Sequence, residues 1–148
     1  MAMFKNILVP IDFSSPSVEA MNVAAALALE SGASLTLLHA WEAPDYAYSG
    51  LTNPPADLWM SIETAARAHL DKTLSELKRR VPSATATVRR GYPADEILSA
   101  IGDLNADLVV MGTHGRRGLS RAMLGSIAEK VVRMSPVPVL TVRGGGAK

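Results

Sequence analysis

Between Met111 and Ile127 the chain reads M-G-T-H-G-R-R-G-L-S-R-A-M-L-G-S-I, with four glycines, three arginines, one histidine and no acidic residue. Glycines let backbone amides approach an anion closely, and a helix start adds unpaired N–H groups and a positive dipole end. Ser126 followed by Glu129 has the form of a capping box, so a helix is expected to begin there with Ser126 as N-cap. The stretch reads as a phosphate cradle. Its counterpart is Asp12, an acid just past the end of an apolar run near the N-terminus.

Several chemistries are excluded by what is missing. The P-loop pattern G-x-x-x-x-G-K-[ST] is absent, and no lysine lies between Lys78 and Lys130. There is no G-x-G-x-x-G fingerprint and no G-x-S-x-G nucleophile elbow. His39, His69 and His114 lack zinc-site spacing, and His69 reads as a surface or boundary residue. With no cysteine, thiol catalysis and disulfides are ruled out. A net charge of +1 gives no footprint for nucleic acid or a membrane surface. No apolar run approaches a membrane span, and the N-terminus lacks the regions of a signal peptide, so the cytoplasm is the expected location.

The elements that must position these residues alternate between strand and helix. Ile7 to Ile11 is a nearly continuous apolar run suited to a strand buried on both faces, with Pro10 marking the end of regular pairing. Ser15 and Pro16 read as N-cap and first residue of a helix carrying Val18, Met21, Ala25 and Leu29 inward and closed by Gly32. Ala33 to Ala40 is a second strand. Trp41 to Ala56 is a long irregular segment, read as a lid beside the site.

A helix from Asp57 to Arg80 follows, with the stripe Leu58, Ile62, Ala65, Ala66, Leu70, Leu74 and Leu77 and a basic end. Ala84 to Arg90 suits an edge strand, Pro93 opens a helix ending near Asn105, and Leu108 to Met111 is the fourth strand. Beyond the glycine stretch come a helix from Ser126 to Met134, with Ile127, Val131 and Val132 inward, and a strand from Val137 to Arg143. Residues 1–143 are expected to form a single domain and 144–148 a flexible glycine-rich tail. Five strand–helix alternations predict an α/β sandwich around a parallel sheet, whose ligands bind beyond the carboxyl ends of the strands where strand order reverses.

The spacing Gly112, two residues, Gly115, nine residues, Gly125-Ser126 resembles the nucleotide-binding signature G-x2-G-x9-G-[ST] of the universal stress protein family. The segments N-I-L-V-P-I-D, L-L-H, G-Y-P-A-D-E-I and S-P-V-P-V-L-T-V also resemble that family, so the likeness runs over essentially the whole chain. The resemblance implies a Rossmann-like three-layer sandwich with five parallel strands in the order 3-2-1-4-5. It also implies ATP as ligand, with or without Mg²⁺, and a homodimer joined through the last strand.

Carried over residue by residue, the resemblance places Pro10, Ile11 and Asp12 beside adenine and ribose and Ala40 against the base. Met111 and Gly112 fall under the ribose and phosphates, and Gly115, Arg116, Gly125, Ser126 and Ile127 hold the phosphates. His114 either bonds within the loop or touches ligand, and Arg117 and Arg121 read as solvated charges. No catalytic or metal-ligating set emerges. The leading expectation is therefore a nucleotide-dependent stress or signalling module. A slow ATPase or phosphotransferase and a nucleotide-independent dimeric interaction protein are the alternatives.

Overall fold

The computed structural model describes residues 3–42, 56–114 and 124–144. Its elements in chain order are β1 (Asn6–Pro10), α1 (Ser15–Ser31), β2 (Ser34–Trp41), α2 (Ala56–Lys78), β3 (Thr85–Arg90), α3 (Pro93–Asp103), β4 (Leu108–Gly112), α4 (Ser126–Met134) and β5 (Val139–Val142). The strands form one sheet in the order β3-β2-β1-β4-β5, with every pairing parallel. The expected Rossmann-like sandwich and strand order are both present.

The apolar runs become central strands because successive side chains alternate between two buried faces. Ile7, Val9, Leu35, Leu37, Leu108 and Val110 pack under α1 and α2, while Leu8, Leu38, Val109 and Met111 pack under α3 and α4. Order reverses between β1 and β4, so β1 lies between β2 and β4 and the crevice opens above their carboxyl ends. Among the described residues, no helix is long and apolar enough to cross a membrane.

Helix α1 reaches the sheet through small side chains. Ala20, Ala24, Ala25 and Ala28 are buried with Met21, whereas Val18 and Leu29, expected inward, are 36% and 60% exposed. The buried alanines let the helix backbone lie close to β1 and β4, and the bulkier residues are left on the outer face. Its N-cap is Ser14, not Ser15: Ser14 is extended (φ −73°, ψ 160°), and its side chain accepts from the Ser17 amide. The Asp12 carboxylate fixes that geometry by accepting from both the Ser14 amide and the Ser14 hydroxyl. Ser15 and Pro16 then occupy the first helical positions, where a missing N–H costs nothing. Gly32 closes the helix in the left-handed region (φ 73°), as expected.

Other boundaries shift for local reasons. Trp41 is the last residue of β2 rather than the start of an irregular segment, because its carbonyl accepts from the Gly91 amide at 2.8 Å. Ala56, the other end of the expected lid, is the first residue of α2, and 43–55 lies outside the described residues. α2 stops at Lys78, where bonds from Arg79 to Glu76 and from Arg80 to Leu77 tighten the chain into a turn. Among its described side chains only Leu70 and Leu77 are fully buried, and Ala65 faces outward. β5 is shorter than expected: the Ser135 hydroxyl donates to the Val137 carbonyl and accepts from its amide, holding Val137 outside the ladder. On α4, Val131 is buried and Ile127 half-buried, but Val132 is 44% exposed. Of the expected tail, 145–148 lies outside the described residues.

Candidate functional site

The crevice above β2, β1 and β4 is a cleft of about 480 Å³. Its first wall comes from β1. Pro10 ends the strand, the Ile11 amide still donates to the Leu38 carbonyl, and Asp12 follows at the rim. Asp12 therefore combines two roles: it opens the turn into α1 and it lines the cleft. Ser17, buried in the first turn of α1, lines the cleft beside it and donates from its hydroxyl to the Ser14 carbonyl at 2.9 Å.

The residue after Asp12 turns away from the cleft. Phe13 takes a left-handed backbone (φ 67°), and its ring stacks on His69 at 3.7 Å and tilts against His39 at 4.8 Å. His39 donates from Nδ1 to the Ile11 carbonyl at 2.8 Å, which pins β1 to β2 just below the rim. Two of the three histidines thus brace the back of the Asp12 turn.

The second wall comes from β2 and the start of α3. Leu38, Ala40 and Glu42 face the cleft in alternation, while Trp41 points to the opposite side, where its ring lies 6.1 Å from that of Trp59 with the Arg90 guanidinium 6.0 Å away. The bond from Gly91 to the Trp41 carbonyl brings the β3–α3 turn alongside, so Tyr92, Pro93 and Ile97 join this wall. Lys130 of α4 lies 5.2 Å from the Tyr92 ring centroid and bonds Asp95 at 2.8 Å, tying α4 to the first turn of α3.

The third wall is the exit of β4 and the start of α4. Met111, Gly112, Thr113 and His114 lead out, and Gly125, Ser126, Ile127 and Ala128 return. The Thr113 carbonyl accepts from the Gly125 amide at 2.7 Å, which places Gly125 as the extended N-cap of α4 (φ −64°, ψ 162°). Ser126 is consequently the first helical residue and not the cap. Glu129 forms no capping box, and its carboxylate instead accepts from Arg133 at 3.0 Å. The Gly125 carbonyl takes the Glu129 amide, so the amides of Ser126, Ile127 and Ala128 precede the first intrahelical bond, and all three residues line the cleft. This wall is the donor-rich end. His114 lines the cleft and also hydrogen-bonds Thr113 Oγ1 at 3.1 Å within the loop.

Gly112 has a role the sequence did not reveal. A Cβ there would lie 2.8 Å from the carbonyl carbon of Pro16 and 3.0 Å from the Ser17 amide nitrogen. Its lack of a side chain lets the end of β4 meet the first turn of α1, and so brings the β1 and β4 walls together.

The sequence pattern of the universal stress protein family matches residues 3–143 of this chain. The chain belongs to that family. A universal stress protein of Thermus aquaticus is 37% identical over 142 residues, covering 95% of this chain and 100% of the relative. The solved structure of universal stress protein UspA from Lactobacillus plantarum superposes with a TM-score of 0.79 at 25% identity, covering 97% of this chain and 100% of that one. An Arabidopsis thaliana member of the family, solved with AMP bound, superposes with a TM-score of 0.66 at 18% identity, over 96% of this chain and 93% of that one, a likeness of fold alone.

In this universal stress protein the cleft gathers Pro10, Ile11, Asp12, Ala40, Met111, Gly112, His114, Gly125, Ser126 and Ile127, the described residues of the expected set. Gly115 and Arg116, together with Arg117 and Arg121, lie outside the described residues. The wall residues Glu42 and Tyr92 were missed. A signal for each existed: Glu42 stands two residues past Ala40 in strand alternation, and Tyr92 sits in the G-Y-P segment opening α3.

Proposed function

We propose that this universal stress protein holds an adenine nucleotide, ATP with or without Mg²⁺, in the cleft and acts as a nucleotide-dependent stress or signalling module in the cytoplasm. The observation that carries the reading is the polarity of the cleft. Three helix-start amides and the Ser126 hydroxyl gather where β4 leads into α4, and the Asp12 carboxylate lines the cleft at the adjacent strand tip, that of β1.

An anion at a helix start gains roughly 0.3–1 kcal/mol from the dipole, up to about 2 when partly buried, in addition to its hydrogen bonds. Because Gly125 serves as the cap, the Ser126 hydroxyl is not engaged in capping and suits a phosphate oxygen. Gly115 and Arg116 complete the phosphate end in this reading, and His114 stands beside it. Asp12 takes a ribose hydroxyl, Ala40 meets the base, and Pro10, Ile11, Met111 and Gly112 floor the site. The volume falls within the roughly 300–1,000 Å³ usual for small-molecule clefts. The AMP-bound relative supports the same ligand class. With no P-loop lysine in the sequence, the site favours holding the nucleotide over splitting it.

The test is isothermal titration with ATP, with and without Mg²⁺: saturable binding at or below millimolar concentration is expected, and no heat of binding in either condition refutes the reading.

A second, compatible reading concerns assembly. β5 is a sheet edge, Leu140 on it is 40% exposed, and Val132 and Met134 of neighbouring α4 are exposed as well. An edge of that composition favours an isologous homodimer through β5.

A further inference from the structure

Resting on the nucleotide reading, we propose that Glu42 is a specificity residue that accepts a hydrogen bond from the exocyclic amine of the base. Three strand tips stand side by side in the order β2, β1, β4. The β4 tip leads to the α4 amides, the β1 tip carries Asp12, and the β2 tip carries Glu42. A nucleotide laid across them with its phosphates on α4 puts the sugar at the middle tip and the base at the outer one.

The outer compartment has the composition a planar base requires. Leu38, Ala40, Pro93 and Ile97 are apolar, and Tyr92 adds an aromatic surface. Glu42 is the acidic group of this wall, and strand alternation directs it into the cleft because Trp41 before it is packed against Trp59 on the other face. An ionised carboxylate can only accept, so the group it recognises must be a donor. Asp12 stands one strand nearer the phosphate end, at the sugar. The donor left for Glu42 is the amine on the base edge.

The experiment is a cycle of two deletions measured by titration. ATP is compared with purine riboside 5′-triphosphate, in which the 6-amino group is replaced by hydrogen, on wild type, Glu42→Ala and Glu42→Gln. Glu42 is exposed, so both variants should keep the wild-type circular dichroism spectrum.

Loss of the amine is expected to weaken binding to wild type about tenfold, the low end for a hydrogen bond to a charged group at a solvated rim. In Glu42→Ala the two nucleotides should bind equally, and in Glu42→Gln, whose amide oxygen still accepts, part of the preference should remain. The loss on going to 2′-deoxyATP should be the same in wild type and Glu42→Ala. An unchanged amine preference in Glu42→Ala overturns the proposal, as does a Glu42-dependent loss on 2′-deoxyATP in place of the amine. If wild type binds neither triphosphate, the nucleotide reading falls and takes this inference with it. If ATP binds and only the preferences fail, this inference falls alone.

Discussion

Gly112 and Gly102 should respond to the same substitution with opposite signs. At Gly112 an added Cβ meets the Pro16 carbonyl carbon and Cβ at 2.8 Å and the Ser17 amide nitrogen at 3.0 Å. Two of these three are backbone atoms of the first turn of α1, held by the Ser14 cap and unable to rotate aside. Relief requires β4 and α1 to move apart, and overpacking of this kind costs about 1–3 kcal/mol. At Gly102, in the last turn of α3, an added Cβ has nothing within 4 Å and the backbone is not left-handed. There alanine gains about 0.4–1 kcal/mol by reducing the freedom of the unfolded chain. For a chain of this length each kcal/mol moves the melting temperature by about 2–4 °C. Gly112→Ala is therefore expected to melt roughly 2–12 °C lower and Gly102→Ala roughly 1–4 °C higher, as read by differential scanning calorimetry. Because Ser17 lines the cleft, Gly112→Ala should also weaken ATP, while Gly102→Ala should leave it unchanged. A Gly112→Ala melt within a degree of wild type, or above it, would refute the close approach of β4 to α1, and a lower melt in Gly102→Ala would refute the unfolded-state gain at that position.

Two serines at helix starts separate in a similar way. Ser14→Ala removes the α1 cap and should cost about 0.5–2 kcal/mol in urea unfolding. Ser126→Ala removes no cap, so its stability should stay within about 0.5 kcal/mol of wild type, while its ATP affinity falls several-fold. A cap-sized loss of stability in Ser126→Ala would return that residue to the capping role. For assembly, sedimentation equilibrium of wild type at micromolar concentration should give a dimer. Leu140→Lys, which sets like charges across an isologous edge, should give a folded monomer; a wild-type monomer contradicts the β5 interface.

Where the sequence was informative, the signal was one that survives burial on both faces. The runs at Ile7 and Leu108 have no amphipathic period to misread, and their strands were legible at once. Helix faces were less so. On α1 hydrophobicity pointed to Val18 and Leu29, but close approach to the sheet selects for volume, and the alanines won. Caps slipped by one residue at both helix starts because a bond made outside the helix chooses among neighbouring candidates: Asp12 holds Ser14 in a local turn, and Thr113 holds Gly125 across the loop. The glycine spacing pointed to two residues that do line the cleft, Gly112 and Gly125. The alternation at Glu42 and the G-Y-P segment marked the two wall residues singly, but that they meet depends on the Gly91–Trp41 bond between adjacent strand ends.

The tryptophan pair gives the protein an optical property of its own. Trp41 and Trp59 are the only two tryptophans in the chain, and they lie together, with Arg90 near both rings, directly behind the strand end that presents Ala40 and Glu42. Trp41 is buried, and among the described residues its indole N–H has no hydrogen-bond partner. All tryptophan fluorescence therefore originates at one spot, on the reverse side of the cleft wall. An occupant that moves the β2 tip should therefore change the spectrum without any added label.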